Sequence, residues 1–141
     1  MGLSPQLHIA PKGSASRIAI RAGKKILFID SADIIAVEAE GHYVLLQHKS
    51  GSYMLHESIS AMAEKLSLFG FVRIHRSSLV NAAFVEEIQP LSTGEYVLRV
   101  RGGKKYIVTR TYKRNLHLLA ESWIGTDGFG QIERGGLINS D

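Results

Sequence analysis

The 141-residue chain has no cysteine. That excludes disulfides, thiolate metal sites and a cysteine nucleophile, and it fits a cytoplasmic protein in a reducing compartment. No stretch approaches the roughly 20 apolar residues that span a bilayer. Residues 1–16 lack the apolar segment of a signal peptide, so no membrane partner is expected. The six histidines form neither H-x-x-x-H nor H-E-x-x-H, and no metal or other cofactor is expected. G-x-S-x-G and the P-loop are missing, and Gly125–Gly130 lacks the strand and helix that a dinucleotide site needs. Ser77 and Ser78 stand beside His75, but sequence neighbours rarely meet in nucleophile–base geometry and no orienting acid is indicated. The expectation is a protein that is not an enzyme and has no small-molecule substrate.

Charge is present, and its placement says more than its total. The net charge is +4 and the pI about 9.5. From Asp30 to Glu40 there are four acids and no Lys or Arg. From Arg73 to Arg114 nine bases face only Glu86, Glu87 and Glu95, which leaves +6. A polyanion partner needs a concentration of this kind.

The length suits one domain. Residues 1–16 are rich in Pro, Gly and Ser and read as a flexible leader. Residues 125–141 hold five Gly without periodicity and read as a flexible tail. The domain is expected over 17–124. Strand patterns dominate it: Arg17–Ala22 and Lys25–Ile29 about Gly23, then Asp33–Glu38, then His42–His48 and Ser52–Leu55 about Ser50-Gly51. Phe84–Gln89, Glu95–Arg101 and Lys104–Thr109 follow, with Gly102-Gly103 as a two-residue hairpin signal. Two segments have helical spacing. Ser58–Leu66 starts on a capping serine, and Thr111–Ile124 aligns Tyr112, Leu116, Leu119, Ala120 and Trp123. The fold class expected is mainly β, with short antiparallel sheets and hairpins and two short helices. No two helices are joined by a short turn, which argues against helix-turn-helix.

Three clusters suit nucleic acid. Phe69–Asn81 interleaves Arg73, His75, Arg76, Ser77, Ser78 and Asn81 with apolar anchors. Arg pairs bidentately with guanine and Asn with adenine, although a turn bonding its own backbone accounts for the same residues equally well. Arg99, Arg101, Lys104 and Lys105 surround the Gly-Gly hairpin, with Arg99 and Arg101 on one strand face by period two, and suit phosphate, or a solvated sheet edge. Arg110, Lys113 and Arg114 open the last helix, where cations oppose the helix dipole but helix N–H groups attract anions.

The runs KKILFIDSADIIAVEAEGHYVLLQHKSGSYMLHESISAMAEKL, FVRIHRSSLVNAAFVEEIQP and GEYVLRVRGGKKYIVTRTYKRNL, in this order, resemble the LytTR family from residue 17 to about residue 120. The most specific piece is F-x-R-I-H-R-S-x-L-V-N, here Phe71 to Asn81. The resemblance implies a mainly β bacterial regulator domain that binds promoter DNA through loops, docking as pairs on direct repeats, with a homodimer forming on DNA. It implies base-facing roles for His42, Arg76 and Arg110, and structural roles for Arg73, Ile74, Leu79 and Val80. Under it His75 and Asn81 bond the backbone of a turn. Charge placement adds Lys104, Lys105, Lys113 and Arg114 as phosphate contacts. Sixteen leading residues cannot fold as a receiver, so either a stand-alone regulator or an excised effector domain is expected. Two competing readings are a protein-interaction module using its sheet edges, without autonomous DNA binding, and a single-strand binder stacking bases on Tyr43 and Tyr53.

Overall fold

The computed structural model describes residues 16–125. The leader and tail expected at 1–16 and 125–141 therefore lie, except for residues 16 and 125, outside the described residues.

The first strands are β1 (Arg17–Ala22), β2 (Lys25–Asp30), β3 (Ile34–Glu40), β4 (Tyr43–His48) and β5 (Gly51–Leu55). Helix α1 (Ile59–Leu66) follows; the Ser58 hydroxyl caps it by accepting from Ala61 N at 3.0 Å. Then come β6 (Phe71–His75), β7 (Ser78–Asn81), β8 (Val85–Pro90), β9 (Tyr96–Val100) and β10 (Lys105–Val108), and a 3-10 helix over Arg110–Leu119. The strands form a five-stranded sheet in the order β5-β4-β3-β7-β6, a three-stranded sheet β10-β9-β8 and the ribbon β1-β2. Every pairing is antiparallel.

The five-stranded sheet is buried on both faces, because successive side chains of a strand point to opposite sides. One face presents Ala36, Val72, Ile74 and Val80 to Leu98, Val100, Tyr106, Val108 and Leu116 of the smaller sheet and the 3-10 helix. The other presents Val37, Val44, Leu46, Phe71 and Leu79 to Ile20 of the ribbon and to Met62 and Leu66 of α1. A bulge between Ile34 and Ala36 resets the alternation, so Ile34 and Val37, three apart, share a face. Asn81 is buried at this junction. Its Nδ2 donates to Ile34 O at 2.9 Å, and its Oδ1 accepts from Ala83 N at 3.0 Å.

Four sequence expectations are corrected. Phe71–Asn81 carried no strand assignment, yet it forms the β6–β7 hairpin on the central sheet, with Phe71, Val72, Ile74, Leu79 and Val80 buried. The last helix is a 3-10 helix that stops at Leu119, not Ile124; Ala120 is extended, Ile124 is 95% exposed, and only Leu116 is fully buried to anchor the segment. Gly102 and Gly103 both take positive φ, 97° and 98°, as expected, but β9 ends at Val100 and β10 begins at Lys105, so the loop spans the four residues 101–104 and not two. Arg101 consequently leaves the strand face it was expected to share with Arg99.

Candidate nucleic-acid interface

Register gathers several loops at one end of the central sheet. Glu40 faces Tyr43, which closes β3 and β4 around His42. Glu38 faces Ser78, which sets the Arg76-Ser77 turn at the same end. Ala39 N donates to Ser77 O at 2.9 Å and ties the two loops together. Val44 faces Leu55, so His56 and the start of α1 also arrive there. An open groove of about 520 Å³ is lined by His42, Tyr43, His56 and Ser58.

The Arg76 turn is held from within. Arg73 donates from Nε to His75 O at 3.3 Å, from Nη2 to Arg76 O and from Nη1 to Ser60 Oγ at 3.3 Å. Its guanidinium also stacks 5.5 Å from the Tyr112 ring centroid. His75 Nδ1 accepts from Ser77 N at 3.1 Å and lies 2.9 Å from Ser77 Oγ. That backbone donor requires a lone pair on Nδ1, so the hydroxyl donates too. His75 and Ser77 therefore do meet, sequence neighbours though they are, and the contact holds the turn closed. With its backbone fixed, the Arg76 side chain is exposed and bonds to no described residue.

Arg110 reaches the same hairpin through its neighbour: Thr109 N donates to Ile74 O at 3.1 Å, two residues before Arg76. The Arg110 guanidinium donates from Nη2 to Thr93 O at 3.0 Å and lies across Gly94. Lys113 follows one 3-10 turn later, half-buried, and Arg114 is exposed. No acid occupies the first turn of this helix.

The remaining cations divide sharply. Arg99, on the central strand of the smaller sheet, is held by Glu86 at 2.7 Å and Glu87 at 3.0 Å, and Arg101 lies 3.8 Å from Glu86, so both are paired with acids of β8. Lys104 Nζ is 2.7 Å from Glu38 Oε2. His42, Lys105, Lys113 and Arg114, in contrast, have no side-chain partner among the described residues. Burial pushes the Glu38 carboxyl up, but hydrogen bonds from Lys104 and Tyr106, the Lys104 charge and a bond from Gln47 outweigh it and hold the group below its ordinary value. Burial and the same carboxylate push the Tyr106 hydroxyl well up.

Sequence reasoning did not single out the placement of His56, edge-on to Tyr43 with ring centroids 5.1 Å apart, or the clamp on Glu38. Neither has a local signal; both come from strand register. The same register removes the single-strand platform. Tyr53 faces Leu46 and packs toward the α1 side of the sheet, whereas Tyr43, an odd number of residues from Leu46, points to the other face. Among the described residues, no three His, Asp or Glu gather as metal ligands, and no helix is long and apolar enough to cross a membrane.

Comparison with known proteins identifies the family and the fold. The chain is 33% identical over 103 residues to the sensory transduction protein LytT of Bacillus subtilis, covering 73% of this chain and 43% of the relative. It is 33% identical over 115 residues to the positive alginate biosynthesis regulatory protein of Pseudomonas aeruginosa, covering 76% and 45%. The chain thus spans less than half the length of these relatives. A solved LytTr DNA-binding domain from Bacillus cereus superposes with a TM-score of 0.65 at 18% identity, over 76% of this chain and 98% of that one. That likeness establishes the fold. The model of the LytTr DNA-binding domain matches residues 24–121, so the chain belongs to the LytTR family.

Proposed function

We propose that this chain is the DNA-reading part of a bacterial transcription regulator acting in the cytoplasm. It binds promoter duplex sequence-specifically through the end of the sandwich that carries His42, Arg76 and Arg110. The observation that carries the reading is the joining of the His42 and Arg76 turns by the Ala39–Ser77 bond, with both side chains exposed and without a partner among the described residues. Arg76 and Arg110 are forks suited to guanine O6 and N7, and His42 reads a neighbouring base edge. Lys105, Lys113 and Arg114 take phosphates and set the register of the protein on the duplex. Lys104 stands apart, because Glu38 already neutralises it. Two copies dock side by side on direct repeats and pair on the DNA.

Selection from a pool of randomised duplexes tests this reading. The expected result is one short motif, enriched and occurring twice in the same orientation. A pool that stays random after repeated rounds contradicts sequence-specific binding, and a single unrepeated motif contradicts the paired arrangement.

A further inference from the structure

Base reading makes no use of the polar network on Glu38. Its Oε2 accepts from Lys104 Nζ and Tyr106 Oη, each at 2.7 Å, and from Gln47 Nε2 at 3.4 Å. Gln47 Oε1 accepts in turn from Ser52 Oγ at 2.9 Å. The network therefore runs from edge strand β5 through β4 and β3 into β10, and it bridges the two larger sheets. Glu38, Lys104 and Lys105 also line a groove of about 330 Å³ with His75 and Ser77, beside the Arg76 turn.

Lys104 and Lys105 are adjacent but differ in state. Tyr106 points inward, at 8% exposure, so strand alternation turns Lys105 outward, away from the carboxylate. Lys104, in the loop before β10, falls on the Glu38 side and is bound there. Moving Lys104 to a phosphate would leave a half-buried carboxylate unpaired and facing the negative charge of DNA, which is costly. As a unit, the pair presents no net charge to the duplex.

The geometry points to Glu38 as a positioning residue for DNA binding: it fixes the β9–β10 hairpin against β3 and withholds Lys104 from phosphate, leaving Lys105 as the hairpin's phosphate contact. This inference rests on the DNA-binding reading and refines it.

The test is the salt dependence of affinity for a bound duplex, measured for the wild-type chain, Glu38→Gln, Lys104→Ala, the double variant Glu38→Gln/Lys104→Ala, and Lys105→Ala. Each phosphate contact contributes a log–log slope of about −0.9, or roughly three- to fourfold in affinity between about 50 and 200 mM salt. Glu38→Gln frees Lys104 and should steepen the slope by about one contact. Lys104→Ala bares the carboxylate and should weaken binding. The double variant should return to the wild-type slope, and Lys105→Ala should lose about one contact. A double variant whose slope is shallower than that of the wild type by about one contact would overturn the inference by making Lys104 a phosphate contact. If the double variant does not fold, an unchanged slope in Glu38→Gln overturns it equally. A wild-type chain that binds no duplex is a different result, because it removes the DNA-binding reading itself.

Discussion

Ala39 donates its backbone N–H to the carbonyl of Ser77 at 2.9 Å. Through that bond the last residues of β3, which lead into the His42 turn, are fastened to the turn that displays Arg76. Two loops separated by more than thirty residues in sequence become one rigid surface. A DNA-reading constellation needs this, since its side chains must be held by structure that is itself fixed.

The Arg76 side chain is exposed and bonds to nothing within the described residues, so its removal should leave the fold alone. Arg76→Ala should cost about 1–3 kcal/mol of affinity for the selected duplex and relax the preference at one base position. Its melting temperature should stay at the wild-type value. Binding assays on duplexes with each base varied in turn check this; unchanged affinity and preference would contradict the assignment.

Arg73 holds the Arg76 turn from within. Its fork meets His75 O, Arg76 O and Ser60 Oγ at once, and a lysine cannot reproduce that planar set of donors. Arg73→Lys should therefore weaken specific binding although charge is kept. The salt slope should stay as in the wild type, because no phosphate contact is lost. A reduced slope would show that Arg73 itself touches phosphate.

The sequence made some of this legible and hid the rest for identifiable reasons. The β1–β2 and β4–β5 hairpins show through turn chemistry about Gly23 and Ser50-Gly51, β3 shows through its β-branched apolar run, and Ser58 announces α1. Phe71–Asn81 did not read as strands because Arg73, His75, Ser77 and Ser78 interrupt its apolar residues. Those polar groups are satisfied locally, by each other and by the backbone, so a central hairpin tolerates them. The last helix was drawn too long because Ala120 and Trp123 continue a 3.6-residue pattern that has no core to cover beyond Leu119. His42, Arg76 and Arg110 come from the family resemblance. The meeting of the His42 and Arg76 turns comes from strand register, which local sequence does not encode.

Gly94 bears on Arg110. It has φ of +93°, and a Cβ there would sit 3.1 Å from Arg110 Nε. Gly94→Ala should strain the β8–β9 turn and push the guanidinium off its seat on Thr93 O. The expected result is a loss of DNA affinity comparable to that of Arg110→Ala, with a modest fall in melting temperature. Wild-type affinity in Gly94→Ala would show that the orientation of Arg110 does not matter for binding.

Asn81 serves the fold only. Asn81→Ala strands the carbonyl of fully buried Ile34 and removes the cap on Ala83 N. An unsatisfied buried group costs about 1–3 kcal/mol. Urea unfolding should show a loss of that order, with the salt slope of DNA binding unchanged in the folded fraction.

Glu38 gives the fold a pH dependence of defined sign. Its folded-state value lies below the ordinary 4.5, so its ionised form contributes stability that is complete above the unfolded value and is lost as pH falls through the folded one. Acidification below about 4.5 should narrow the stability gap between the wild-type chain and Glu38→Gln. Parallel stability curves for the two proteins over that range would contradict the clamp.

The most direct measurement of the central claim is fluorescence anisotropy of the wild-type chain against a promoter-derived duplex and its scrambled counterpart, across a salt series. The account predicts much tighter binding of the promoter sequence at every salt concentration. It also predicts a steep loss of affinity with salt, more than about 100-fold between about 50 and 200 mM if about five phosphates are neutralised. Equal affinity for both duplexes, or no binding near physiological salt, would contradict it and leave a protein-interaction module as the reading of this fold.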